Sequence, residues 1–82
     1  MIAEIRQVLT DHARLPVPAD SLELDADLYQ AGMTSHASVN VMLALEDTFD
    51  VEFPDAMLKR GVFESISAIH VAVSSLTTGA TA

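Results

Sequence analysis

The sequence predicts an all-α fold, a small bundle of three main helices plus one short helix. Two observations carry this. Apolar residues recur at spacings of three and four in three separate stretches, and no stretch alternates with the period of two that a half-buried strand needs. A third bounds the size: 82 residues, half of them hydrophobic, suit a single domain over 1–82 with one core.

Ile2, Ile5, Leu9 and Ala13, with Val8 alongside, predict a first helix over 2–14 that turns Glu4, Gln7, Asp11 and Arg14 to water. Leu15-Pro16-Val17-Pro18 stops it, because a residue before proline is pushed out of the helical region. The connection up to Ser35 is too long to be featureless, so Leu22, Leu24, Leu28 and Tyr29 are expected to pin it to the core. A short helix is expected over 26–30, capped by Asp25. Gly32 supplies a positive φ before the second main helix, 35–49, which Asp50 follows. After Pro54, Asp55 is placed to cap a short helix over 56–60 that Gly61 ends, with Lys59 and Arg60 at the negative end of its dipole. Ile66, Ile69, Val73 and Leu76 predict the last helix, about 65–77, and 77–82 reads as a frayed tail.

Composition excludes several classes. Twelve acids against four cations give a net charge of -8, which cannot neutralise a phosphate track, so no nucleic-acid partner is expected. No apolar run approaches a membrane span, and the first residues lack the basic start and apolar block of a secretory signal. With no cysteine there is no disulfide and no thiolate metal site. The expectation is a soluble, cytoplasmic, monomeric protein. His12 and His70 sit on or near apolar helix faces and read as histidines bordering a core, not as metal ligands. Asp20, Glu23, Asp25 and Asp27 lack the glycine and spacing of a calcium loop and read as a solvated acidic stretch. Ser35 and His36 are helix neighbours, about 100° apart, so they form no nucleophile–base pair, and no Gly-x-Ser-x-Gly elbow surrounds them.

On the second helix, Val41, Leu45 and Phe49, with Met42 beside them, suffice for a small core. Val39 and Leu43 point elsewhere, together with Glu46, Asn40 and Asp47. An apolar pair among carboxylates suits transient docking, in which acids steer and apolar residues anchor.

The run Asp27-Leu28-Tyr29-Gln30-Ala31-Gly32-Met33-Thr34-Ser35, then Val39 through Asp50 and Val51-Glu52-Phe53-Pro54-Asp55, resembles the acyl carrier proteins. The resemblance extends from about Leu24 through Ile69. Its most specific part is the Gly-x-x-Ser step leading directly into a leucine-rich helix, a Phe and then Pro-Asp. It implies a four-helix bundle of acyl-carrier type, with no catalytic residue. It also implies a 4′-phosphopantetheine arm that a phosphopantetheinyl transferase moves from coenzyme A onto Ser35, whose thiol holds cargo as a thioester. A helix N-terminus suits the resulting phosphodiester. Without the arm, Ser35 would serve as the helix N-cap.

The resemblance further implies an acyl- or aminoacyl-loading ligase and downstream acyl-transfer enzymes as partners. They would touch a face made by Met33, Thr34, His36, Val39, Leu43 and Glu46, with Met57 and Leu58 opposite. Where the family most often has Asp-Ser-Leu, this chain has Thr34-Ser35-His36. That departure is similar to stand-alone bacterial carriers, one group of which carries amino acids loaded by ligases related to aminoacyl-tRNA synthetases. Two other readings stay open on the sequence. One is an acidic helical adaptor or mimic that binds a basic partner without a prosthetic group. The other is a carrier relic whose Ser35 is no longer modified.

Overall fold

The computed structural model describes residues 2–79. Among them there is no strand. Four α-helices, α1 (Ile2–His12), α2 (Leu28–Ala31), α3 (Ser35–Phe49) and α4 (Ile66–Gly79), are joined by connections that hold one 3₁₀ turn between α1 and α2, Ala19–Ser21, and two between α3 and α4, Asp55–Met57 and Arg60–Phe63.

The helical spacing read from the sequence delivers the core. Ile5 and Leu9 of α1, Leu28 of α2, Val41 and Leu45 of α3, and Ile66, Ile69 and Val73 of α4 are wholly buried. Each such side chain contributes roughly 1.5–3 kcal/mol. Phe53 and Phe63 join them with ring centroids 5.4 Å apart and planes tilted by 60°, an arrangement that suits the aromatic quadrupoles. The predicted face of α4 is the buried one, with Leu76 half-buried at its end.

Several boundaries and caps differ from expectation. α1 ends at His12 because Arg14 takes a left-handed backbone, φ 55°, ahead of Pro16. His12 is exposed there instead of bordering the core, and His70 is half-buried on α4. Among the described residues, no group of three His, Cys, Asp or Glu side chains could hold a metal ion. The short helix begins at Leu28, and its cap is Asp27, not Asp25: one Asp27 carboxylate oxygen accepts from Tyr29 N at 2.9 Å and Gln30 N at 3.2 Å. Leu24 stays 44% exposed, so it does not pin its loop through its side chain. Its carbonyl does so instead, accepting from Ser67 N at 2.9 Å, while Leu28 N donates to Glu64 O at 2.7 Å. Arg6 holds the rest of that connection, donating from Nη1 to the carbonyls of Ala19 at 2.6 Å and Leu22 at 2.9 Å.

No α-helix forms over 56–60. Asp55 lies in a 3₁₀ turn and caps nothing with its side chain, and Lys59 precedes the second turn, Arg60–Phe63, instead of following a helix. Ser65 caps α4, its Oγ accepting from Ala68 N at 3.0 Å. α4 continues through Gly79, so the tail expected from residue 77 starts no earlier than 80, and 80–82 lie outside the described residues. Among the described residues, no helix is long and apolar enough to cross a membrane.

Candidate functional site

The site grows out of the turn between α2 and α3. Gly32 adopts φ 124°, a conformation that side chains with a Cβ rarely take. Gly32 N donates to Tyr29 O at 3.1 Å and Met33 N donates to Leu28 O at 2.9 Å, the paired bonds of a Schellman motif. That motif favours an apolar contact between the residue after the glycine and the residue four positions before the glycine. Here those positions are Met33 and Leu28, both in the core, and Met33 is only 3% exposed. Met33 therefore leaves the docking face expected of it: a side chain committed to the helix stop cannot also meet a partner.

Thr34 then caps α3, its Oγ1 accepting from Ala37 N at 3.0 Å. This corrects the expectation that Ser35 caps the helix before modification. With Thr34 in that role, Ser35 is the first helical residue, exposed, and its hydroxyl bonds to no described residue; only its carbonyl is engaged, accepting from Ser38 Oγ at 2.7 Å. The result is an accessible nucleophile on a well-anchored backbone.

A groove of about 360 Å³ starts at Ser35. Its α3 wall is Ser38, Val39 and Met42; the facing wall is Leu58, Lys59, Arg60 and Phe63, with Tyr29 at the end. The Arg60 guanidinium lies 4.0 Å from the centroid of the Tyr29 ring, a cation–π contact. Two of the chain's four Lys and Arg residues thus line this groove and no carboxylate does, in a protein of net charge -8. Sequence reasoning assigned Lys59 and Arg60 to a helix end that does not form. The available signal was that they are the only Lys or Arg after Arg14.

Of the other residues expected on the docking face, Thr34, His36, Val39, Leu43 and Leu58 are exposed, Val39 at 49% and Leu43 at 53%. Val39 borders the Ser35 groove. Leu43 borders a second one, also about 360 Å³, with Asn40 and Ala44 and with Asp11, His12 and Arg14 at the end of α1. Two expected members are otherwise occupied. The half-buried Glu46 turns its Oε2 to accept from Phe53 N at 2.8 Å, while its carbonyl accepts from Val51 N at 3.1 Å. It fastens the corner after α3, where Asp50 is left-handed at φ 53°. Met57 is half-buried against the core.

An exposed serine thus opens a 15-residue helix, preceded by a glycine turn and flanked by a cation-lined groove. A model of the family described as "Phosphopantetheine attachment site" matches residues 3–69. An aminoacyl carrier protein of Agrobacterium fabrum is 47% identical over 79 residues, spanning 96% of this chain and 95% of that one. The chain belongs to the phosphopantetheine-attachment family of acyl and aminoacyl carrier proteins.

Two solved structures extend the comparison. One is a crystal structure of an engineered Bradyrhizobium japonicum glycine:carrier protein ligase complexed with carrier protein from Agrobacterium tumefaciens and AMP. A chain in it matches with TM-score 0.88 and 49% identity, over 90% of this chain and 99% of that one. The other is the Bradyrhizobium japonicum ligase complexed with glycylated carrier protein, matched with TM-score 0.74 and 25% identity, over 87% of this chain and 95% of that one.

Proposed function

We propose that this chain is a stand-alone, cytoplasmic aminoacyl carrier with no catalytic activity of its own, and that Ser35 carries its 4′-phosphopantetheine arm. The single observation behind the site is the division of labour at the start of α3. Thr34 satisfies the helix, so the Ser35 hydroxyl is free to become a phosphodiester without loss of a cap. The residues fit the group: an unengaged hydroxyl and a groove beside it with two cations and no carboxylate. When attached, the arm supplies the thiol that this cysteine-free chain lacks, and the thiol can hold an amino acid as a thioester. The protein's own part is to present that hydroxyl on a rigid element to a phosphopantetheinyl transferase, and afterwards to present the arm to a loading ligase and to acyl-transfer enzymes.

An amino acid cargo follows from the 47% identical aminoacyl carrier and from the ligase complexes in which similar chains occur. The adaptor reading leaves the family match over residues 3–69 unexplained. The test is to convert the protein to its arm-bearing form, then add glycine, ATP and a glycine:carrier protein ligase. The expected product is a mass gain of one glycyl group that neutral hydroxylamine removes. An arm-bearing protein that no aminoacyl ligase loads, but that accepts fatty acyl groups, would replace the aminoacyl reading with an acyl one.

A further inference from the structure

The turn that ends α1 holds an arginine where a glycine would be unstrained. Arg14 has a left-handed backbone, φ 55°, which residues with a Cβ seldom adopt. Its side chain is exposed and, among the described residues, makes no hydrogen bond or ion pair, so no polar contact within the fold explains the arginine. The turn does place Arg14 in the groove of about 360 Å³ between the end of α1 and α3, with Asp11, His12, Asn40, Leu43 and Ala44. Both Asp11 carboxylate oxygens already accept from Gln7 Nε2, at 3.1 and 3.2 Å. The groups left to meet an outside partner are the Arg14 guanidinium, the His12 imidazole, the Asn40 amide and the apolar Leu43.

This groove lies beside the attachment point. Ser35, Val39 and Leu43 follow one another at spacings of four and share one side of α3, with the exposed Asp47 next in the row. At 1.5 Å per residue, Leu43 stands about 12 Å along the helix from Ser35. We propose that Arg14 is a docking residue for the loading ligase: an acidic side chain of the ligase enters this groove and pairs with the Arg14 guanidinium, while an apolar neighbour on the ligase covers Leu43. The inference rests on the aminoacyl carrier reading above. A planar guanidinium matches a carboxylate through two parallel hydrogen bonds, which gives the contact direction as well as charge. The choice of ligase follows from where each enzyme reacts. A transferase works on the Ser35 hydroxyl and needs only the start of α3. A ligase works at the far end of the arm, so it must grip the carrier body away from Ser35.

The test uses protein already carrying its arm, with glycine, ATP and a glycine:carrier protein ligase, and initial rates taken against carrier concentration. Arg14→Glu should raise the Michaelis constant for the carrier about tenfold with kcat unchanged, Arg14→Gly about threefold, and Arg14→Lys no more than about twofold. These differences should shrink as salt is raised. Arg14→Gly should also melt at or above the temperature of the parent, because glycine relieves the left-handed backbone. Weaker loading without loss of stability is what a docking role produces and a structural role does not. Arm attachment by the transferase should proceed at the parental rate in every variant. A parental Michaelis constant in Arg14→Glu, a rise confined to variants that melt lower, or an equal slowing of arm attachment would overturn the proposal while leaving the carrier reading intact. A parent protein that takes the arm but is loaded by no aminoacyl ligase would remove the aminoacyl reading and this inference together.

Discussion

Replacing Gly32 by alanine tests the turn that brings the chain to Ser35, and its cost can be assembled from the structure. The backbone at Gly32 has φ 124°, and holding a residue with a Cβ in such a region costs about 1–3 kcal/mol. A Cβ there would also lie 2.7 Å from Pro16 Cδ and 3.2 Å from Cγ, so the ring must move; overpacking of this kind typically costs about 1–3 kcal/mol. Against these, alanine restricts the unfolded chain and returns about 0.4–1 kcal/mol. The net loss should be about 2–4 kcal/mol, a large share of the roughly 4–12 kcal/mol expected for a domain of this size. Urea unfolding followed by far-ultraviolet circular dichroism measures it. Pro16→Ala combined with Gly32→Ala should recover about 1 kcal/mol or more of the loss, because it removes the collision but not the backbone strain. A Gly32→Ala protein within about 0.5 kcal/mol of the parent, or a double variant with no recovery, would refute the account of this turn.

Thr34→Ala should cost about 1 kcal/mol through the lost cap, whereas Ser35→Ala should stay within about 0.5 kcal/mol; chemical denaturation of the pair decides which residue caps α3. Arg6→Met keeps the stem but removes the charged donor to Ala19 and Leu22, so it should cost about 2–3 kcal/mol and speed amide exchange in the 15–27 connection. Leu43→Glu, at a side chain 53% exposed, should leave the melting temperature nearly unchanged while raising the Michaelis constant of a loading ligase for the carrier. Unfolding of that variant would place Leu43 in the core and remove it from the docking face.

The long helices were legible because their physics is local. α3 was bounded at 35 and 49 by the glycine turn before it and the left-handed Asp50 after it, and its buried row was readable from the spacing of Val41 and Leu45. Capping failed by one or two positions, at Asp27 instead of Asp25 and Thr34 instead of Ser35. Asp, Ser and Thr are all competent caps, and neighbouring candidates differ only in where the helix begins. The 51–65 segment was the least legible, since two short 3₁₀ turns carry no amphipathic period from which to read a face. The remaining corrections needed contacts between distant residues. Met33 looked available until the Schellman bonds set it in the core. The structural role of Glu46 is of the same kind, its carboxylate accepting from Phe53 N, seven residues away.

The most direct test of the central claim is the intact mass of the protein after incubation with coenzyme A and a broad-specificity phosphopantetheinyl transferase, with peptide fragmentation to locate any adduct. The account predicts a gain of one phosphopantetheine, on Ser35, absent from Ser35→Ala. A gain that persists in Ser35→Ala, or no gain with several transferases in turn, would contradict it.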